Sequence, residues 1–345
     1  MNNYKNKFPK TRYQGSKYKL IHWIMSSLQD LKYSSVLDAF SGTSSVSYMF
    51  KGLNKKVITN DVMPCNYWIS KALIENNNVT LSDLDVKFIL TKDINFNYGF
   101  FIEKTFKDIY YTEEENIWLD VVVQNIERLD NQYKKAIAFW ALFQSCIIKR
   151  PYNLFHRKNL QIRTADVERS FGNKTTWDKP FNNFFNMFVK EANNAIFSNS
   201  ISNESKCEDV FNLNIEHVDL VYIDPPYIPQ KGSITTYQDF YHFLNGLVCY
   251  KDWSTRIDYG SKHLKIKSQY SIWEDKKEIL KGFDTLFKKY SESIIVMSYR
   301  DDGIPKIEEL VNLLTSLGKD VEIKTIDYKY ALSKTKNKEV LIIAK

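Results

Sequence analysis

The run Val218-Asp219-Leu220-Val221-Tyr222-Ile223 has the length and apolar character of a buried strand, and it stops at Asp224-Pro225-Pro226-Tyr227. Proline has no N–H to give to a ladder, so two in succession force the chain out of the sheet there. The acid, the proline carbonyls and the tyrosine ring are therefore presented at the carboxyl edge of that strand. That edge is where open α/β sheets bind ligands. A carboxylate and a restrained carbonyl can both accept hydrogen bonds from one exocyclic NH2 group, while an adjacent ring stacks on the base that carries it. The same four residues also make an ordinary turn whose tyrosine simply packs.

A second unit of this kind lies near the start. Val36-Leu37-Asp38-Ala39-Phe40 reads as a short strand, Ser41-Gly42-Thr43 as a turn, and Val46 to Lys51 as the opening of a helix. Lys56 to Asp61 is another strand that ends in an acid. Together they predict a parallel strand–helix–strand unit. From about Ile69 to Phe197 the pattern changes: the stretch Glu113 to Ile148 has helical spacing, and Arg150 to Pro180 is irregular, basic and turn-rich. Strand character returns at Val218, Ser293 to Ser298, Val321 to Tyr328 and Glu339 to Ala344. The predicted organisation is a discontinuous α/β domain, 1–74 with 196–345, interrupted by a mostly helical insert, 75–195, that shares an interface with it.

At 345 residues and 43% hydrophobic content the chain can bury a sizeable core, which excludes a disordered protein. Met1 to Lys10 is polar and basic without the apolar stretch of a signal peptide, and no apolar run has the length of a membrane span. Cys65, Cys146, Cys207 and Cys249 are far apart, so neither zinc nor disulfides are expected, and a cytoplasmic setting is. The net charge of +7 is concentrated in two windows. Lys149 to Lys179 holds eight Lys/Arg against three Asp/Glu, and Lys251 to Lys267 holds five against two. Aromatic residues are interleaved in both, as expected of a nucleic-acid groove, although two solvated basic loops would have the same composition.

The turn Asp38-Ala39-Phe40-Ser41-Gly42-Thr43 resembles the cofactor loop of methyltransferases that use S-adenosylmethionine. A dinucleotide fold would want G-x-G-x-x-G, which Gly42-Thr43-Ser44-Ser45-Val46 does not supply. Arg12-Tyr13-Gln14-Gly15-Ser16-Lys17 ahead of it, Cys207-Glu208-Asp209-Val210 before the Asp-Pro-Pro-Tyr strand, Asn153 to Arg157 and Ser298-Tyr299-Arg300-Asp301-Asp302-Gly303 complete the set. In that order they resemble the Dam-type (D12 class, α group) adenine DNA methyltransferases, including restriction-associated members. One departure is Ser45, read as standing where many relatives carry a second glycine.

The resemblance implies a Rossmann-like methyltransferase sheet with an inserted target-recognition lobe. It implies methyl transfer from S-adenosylmethionine to the amine of an adenine flipped out of double-stranded DNA. Asp224, Pro225, Pro226 and Tyr227 would hold the target amine and base. Tyr13, Lys17, Asp38, Phe40, Gly42, Thr43, Asp61, Asp209 and Val210 would hold the cofactor. Lys149, Arg150, Arg157, Lys158, Arg163, Arg169, Lys174, Lys262 and Lys265 are the candidate DNA contacts. A monomer with no resident metal is expected, serving alongside a cognate restriction endonuclease. An RNA adenine methyltransferase and a catalytically idle nucleic-acid-binding module remain the alternatives; Asp rather than Asn at 224 favours DNA over RNA.

Overall fold

The computed structural model describes residues 8–9, 11–168, 174–230, 236–328 and 337–345. Nine strands occur among them: β1 (Ser35–Asp38), β2 (Lys56–Asn60), β3 (Glu204–Lys206), β4 (Leu220–Ile223), β5 (Ile228–Pro229), β6 (Ile294–Arg300), β7 (Gly303–Ile304), β8 (Val321–Tyr328) and β9 (Asn337–Ala344). Seven form one sheet in the order β3-β2-β1-β4-β6-β9-β8, while β5 and β7 make a small antiparallel pair beside it. The first five are parallel, and β9 pairs antiparallel with both β6 and β8. This is the mixed α/β sheet expected of a Rossmann-like methyltransferase.

Alternation along the strands sorts the core into two layers. Val36, Val57, Leu220, Tyr222, Val296, Leu341 and Ile343 lie in one hydrophobic cluster, with the helix Ser45–Gly52. Leu37, Ile58, Val221, Ile223, Ile295, Met297 and Ile342 lie in the other, with the helices Ile279–Lys289 and Ile307–Ser316. Both faces of the sheet are covered, which is why these strands read as unbroken apolar runs.

The strands run outward in sequence from β1 in both directions, through β2 and β3 on one side and through β4 and β6 on the other. The chain therefore reverses its lateral direction between β1 and β4. A crevice opens at such a reversal, outside the carboxyl ends of the two strands. Asp38 ends β1 opposite Tyr222, two residues before Asp224. The site is thus positioned by sheet topology before any side chain is considered.

Between β2 and β3 the chain is helical. The predicted stretch Glu113 to Ile148 is two helices, Glu113–Glu127 and Gln132–Ile148, separated because Asn131 caps the second by accepting from the Tyr133 and Lys134 amides. The helix Phe181–Ala195 buries Phe181, Phe184, Phe185, Phe188, Val189 and Ala192, spaced at three and four residues along one face. Phe139, Trp140 and Phe143 of the neighbouring helix are fully buried, and each side chain of that size contributes about 1.5–3 kcal/mol. These residues belong to the same cluster as Val36 and Leu220, so the core of the helical segment is continuous with that of the sheet. Among the described residues no helix is long and apolar enough to cross a membrane.

Candidate active site

Three acids follow or end three adjacent strands and open on one cleft: Asp38 from β1, Asp61 after β2 and Asp224 after β4. The cleft has a volume of about 360 Å³, within the range usual for small-molecule sites. Each of the sequence-predicted catalytic and cofactor residues lines it: Tyr13, Lys17, Asp38, Phe40, Gly42, Thr43, Asp61, Asp209, Val210 and Asp224 to Tyr227. They come from five separated segments, and the sheet brings them together.

The glycine turn is built from backbone geometry and a carboxylate. Gly42 sits at φ 49 with nothing within 4 Å of where a β-carbon would stand, so its face of the turn is open to the cleft. Asp61 holds that turn: its Oδ2 accepts from the Gly42 amide at 2.9 Å and from Asn66 Nδ2 at 3.1 Å, and its Oδ1 accepts from the Met63 amide at 2.9 Å. Burial raises its carboxyl above the ordinary range, opposed by these three donors. Asp61 therefore shapes the rim as well as facing the cavity. Ser16 and Thr43 bond side chain to side chain at 3.1 Å, which fastens the N-terminal segment to the turn.

The left-handed residue of this turn is Ser44, one before the Ser45 singled out in the sequence. Ser44 has the left-handed backbone, φ 61, whereas Ser45 is the first residue of the helix. The Ser44 hydroxyl pairs with Ser70 Oγ at 2.7 Å, which anchors a serine in a conformation that glycine adopts more easily.

Asp38 is almost completely buried. Its Oδ2 accepts from the Ser47 hydroxyl, while Oδ1 closes no hydrogen bond of normal geometry. Burial pushes its carboxyl up to about 7, opposed by Ser47 and the Phe40 amide and reinforced by Asp224 and Asp61. A buried acceptor without a donor is costly unless a ligand supplies one. The open turn and this buried acid, which lines the cleft, fit a cofactor that brings hydrogen-bond donors into it.

Aromatic side chains wall the two ends. Tyr13 stacks on Tyr241 at 4.1 Å and 11°, and its hydroxyl accepts from Asn66 at 3.2 Å. At the other end Phe40 meets Trp273 edge-on at 5.1 Å, and Trp273 stacks on Phe211 at 5.6 Å and 7°. Tyr227 lies under the Arg300 guanidinium, 5.0 Å from the ring centroid, with Tyr299 at its edge. Trp273, Phe211, Tyr237 and Asn66 were not foreseen. No local pattern distinguishes them from core residues.

The acid at the centre is not isolated. Lys17 Nζ lies 2.9 Å from Asp224 Oδ1 and 3.1 Å from Glu339 Oε1, so the lysine expected beside the cofactor also reaches the tetrapeptide. Burial raises the Asp224 carboxyl to about 6; Lys17 opposes this and Glu339 adds to it.

Three of the proposed DNA contacts are interior residues. Lys149 bonds Glu115 at 2.8 Å and the Trp177 carbonyl at 2.6 Å, and Arg163 shares Glu115 at 2.7 Å and reaches the Tyr110 carbonyl at 2.9 Å. Arg150 is 1% exposed, with its guanidinium on the Leu154, Tyr110 and Arg157 carbonyls and on Asn159 Oδ1. Glu115 pairs with Lys149 and Arg163, and carbonyls and an amide oxygen take the Arg150 donors, so all three hold the basic segment in place from inside the protein. Arg150→Ala is accordingly expected to remove about 3–5 kcal/mol of stability, by orphaning several acceptors and opening a cavity. A thermal melt measures this; a variant that melts like the parent and only binds DNA weakly would contradict it. Arg157, Lys158, Lys174 and Lys262 are exposed, Lys174 pairing with Asp178. Lys265 is half-buried against Asp239 at 2.9 Å, and Arg169 lies outside the described residues.

A family model described as D12 class N6 adenine-specific DNA methyltransferase matches residues 13–313. Type II methyltransferase M2.HphI of Haemophilus parahaemolyticus is 31% identical over 96% of this chain and 95% of its own. Modification methylase LlaI of Lactococcus lactis subsp. lactis and Type II methyltransferase M.FokI of Planomicrobium okeanokoites are each 25% identical over 92% and 95% of this chain. The chain spans about half the length of those two, 51% and 50%. The solved structure of precorrin-6Y C5,15-methyltransferase from Geobacter metallireducens GS-15 overlays with a TM-score of 0.34 at 11% identity, covering 99% of this chain and 94% of its own, too loose a likeness to carry an argument.

Proposed function

This chain belongs to the D12 class of N6 adenine-specific DNA methyltransferases, and from that premise we propose that Asp224 to Tyr227 hold the target adenine while the cleft beside them holds S-adenosylmethionine. The enzyme transfers a methyl group from S-adenosylmethionine to the exocyclic amine of adenine at a specific site in DNA. The single observation behind the residue assignment is that Asp38 and Asp224 issue from neighbouring parallel strands onto one cleft at the reversal of strand order.

Asp224 and the Pro225 carbonyl accept hydrogen bonds from the target amine. Adenine's amine is a poor nucleophile because its lone pair is delocalised into the ring, and two acceptors favour the pyramidal nitrogen that localises it. Tyr227 stacks on the extruded base, returning roughly 1–3 kcal/mol against the cost of unstacking. Asp38, Gly42, Asp61, Asp209 and the aromatic walls hold the cofactor, whose sulfonium supplies the electrophilic methyl group. Orientation of the two partners is the protein's main contribution.

Site recognition falls to the helical insert and the exposed basic residues. Arg157, Lys158 and Lys262 are the cations best disposed to meet phosphate, because they are exposed. Arg157→Ala and Lys158→Ala are each expected to weaken DNA binding across sequences and to lower the slope of log K against log salt by about 1. Binding isotherms at several salt concentrations test this, and an unchanged slope would remove the residue from the interface.

The type II relatives support a place in a restriction–modification system, with a cognate endonuclease acting on the same site. A monomer working in the cytoplasm completes the proposal. Incubation with S-adenosylmethionine and unmethylated bacterial DNA or RNA, followed by nucleoside mass spectrometry, tests the substrate. N6-methyladenine in DNA alone is the expected result. Methylated RNA or cytosine would overturn it.

A further inference from the structure

Glu339 has no counterpart in the motifs, yet it reaches the centre of the site. It stands on β9, the antiparallel strand beside β6, with its side chain fully buried. A carboxylate with no exposure is retained only when cations or donors satisfy it. Here Ser298 Oγ donates to Oε1 at 2.9 Å and Lys17 Nζ lies 3.1 Å from the same oxygen. The second contact of that ammonium is Asp224 Oδ1 at 2.9 Å. One lysine therefore bridges two carboxylates, one at the end of β4 and the other across the sheet on β9.

The bridge creates a problem for the reaction as proposed. Asp224 must accept from the adenine amine, and one of its oxygens is already engaged by Lys17. An ammonium displaced from Asp224 inside a buried site would be left without an anion unless a second one were in reach. We propose that Glu339 is a positioning residue that retains Lys17 when the target amine claims Asp224, so that base binding exchanges partners without stranding a charge. The inference rests on the reading of Asp224 as the amine acceptor.

Charge accounts for the rest. With Lys17 shared between two acids, the Asp224–Lys17 attraction is weaker than in an exclusive pair, and adenine competes against the weaker contact. Glu339 also repels Asp224, which contributes to the raised Asp224 carboxyl. Among the described residues, the other titratable groups that act electrostatically with Asp224 are Asp38 on β1, Tyr222 on β4 and Tyr237 on the helix Tyr237–Val248. They are untouched by a change at 339.

Glu339→Gln keeps the shape and the Ser298 contact while removing the charge. In the full-length enzyme with S-adenosylmethionine and unmethylated bacterial DNA, KM for DNA is expected to rise on the order of tenfold, with kcat changed much less. The acid limb of kcat/KM should move to lower pH, because Asp224 loses a repulsive neighbour; a purely structural role would not move it. Cofactor affinity, read by titration, should remain within twofold. Glu339→Asp keeps the anion but withdraws it from Lys17, so KM for DNA rises while the acid limb stays in place. If Glu339→Gln fails to fold, the KM of Glu339→Asp decides, and an unchanged value overturns the inference. A wild-type KM and acid limb in Glu339→Gln, with Asp224→Ala inactive, would remove Glu339 from the mechanism and leave the Asp224 assignment standing. Activity retained in Asp224→Ala would remove both.

Discussion

Asp224→Ala should lower methyl transfer to DNA by roughly a thousandfold or more while leaving S-adenosylmethionine bound, because it deletes the acceptor aimed at the reacting amine and nothing that holds the cofactor loop. Removing one preorganised polar partner of a developing charge typically costs about 10²–10³ in rate. The loss should exceed that here, since Lys17 would remain facing the base with one of its two anions gone. Single-turnover assays with labelled cofactor measure the rate, and calorimetry measures the cofactor. The pH dependence has a definite sign. Asp224 accepts from the amine as a carboxylate, and burial raises its carboxyl to about 6 against the pull of Lys17. Activity of the parent enzyme is therefore expected to fall as pH drops through about 6 and to be retained above it. A flat profile between pH 5 and 7 would place the essential acceptor elsewhere, and so would substantial activity in the alanine variant.

The second large effect is expected at Asp61. Its carboxylate accepts from the Gly42 and Met63 amides and from Asn66, so Asp61→Ala releases the glycine turn, the segment after β2 and the side chain that supports Tyr13 at once. Hydrogen bonds to a charged group are worth about 1.5–3 kcal/mol each. Loss of even part of this set should weaken S-adenosylmethionine binding on the order of a hundredfold, with the sheet intact because β1 and β2 pair through their backbones. Titration with the cofactor, paired with a thermal melt, separates the outcomes. Unfolding without selective loss of affinity would make Asp61 a structural residue, and an unchanged affinity would show that the rim holds without it.

The two acids differ in how they were legible. Asp224 stands out because prolines end a strand beside it, and the consequence is local: the chain must leave the sheet at that point. Asp61 also follows a strand, but its three donors come from residues 2, 5 and 19 positions away, and only the folded turn shows that it supports Gly42. The motif around Lys17 marks it as a cofactor residue. Its bridge to Asp224 and Glu339 spans over 200 residues of sequence and could not be read from spacing.

The basic windows mark the limit of composition. Lys149, Arg150 and Arg163 contribute to the same excess as Arg157 and Lys158, and no local feature separates them. The difference is Glu115 at the start of one helix and a set of backbone carbonyls, which satisfy the first three inside the protein. Ser44 is a further case. The pattern suggests a glycine position near Ser45, and only the backbone, with Ser70 beneath it, shows which serine takes the left-handed conformation.

By itself the sequence determined the parallel α/β core, the edge of the sheet at which the site opens and the acids and prolines at its strand ends. Those features follow from where apolar runs stop and what stops them, and such signals act over a few residues. Tertiary structure alone decided which charges face solvent, which acid anchors Lys17 and which aromatic rings close the cleft. These depend on burial and on partners brought from distant segments, and the free energy of a charge is set by its surroundings rather than by its neighbours in the chain.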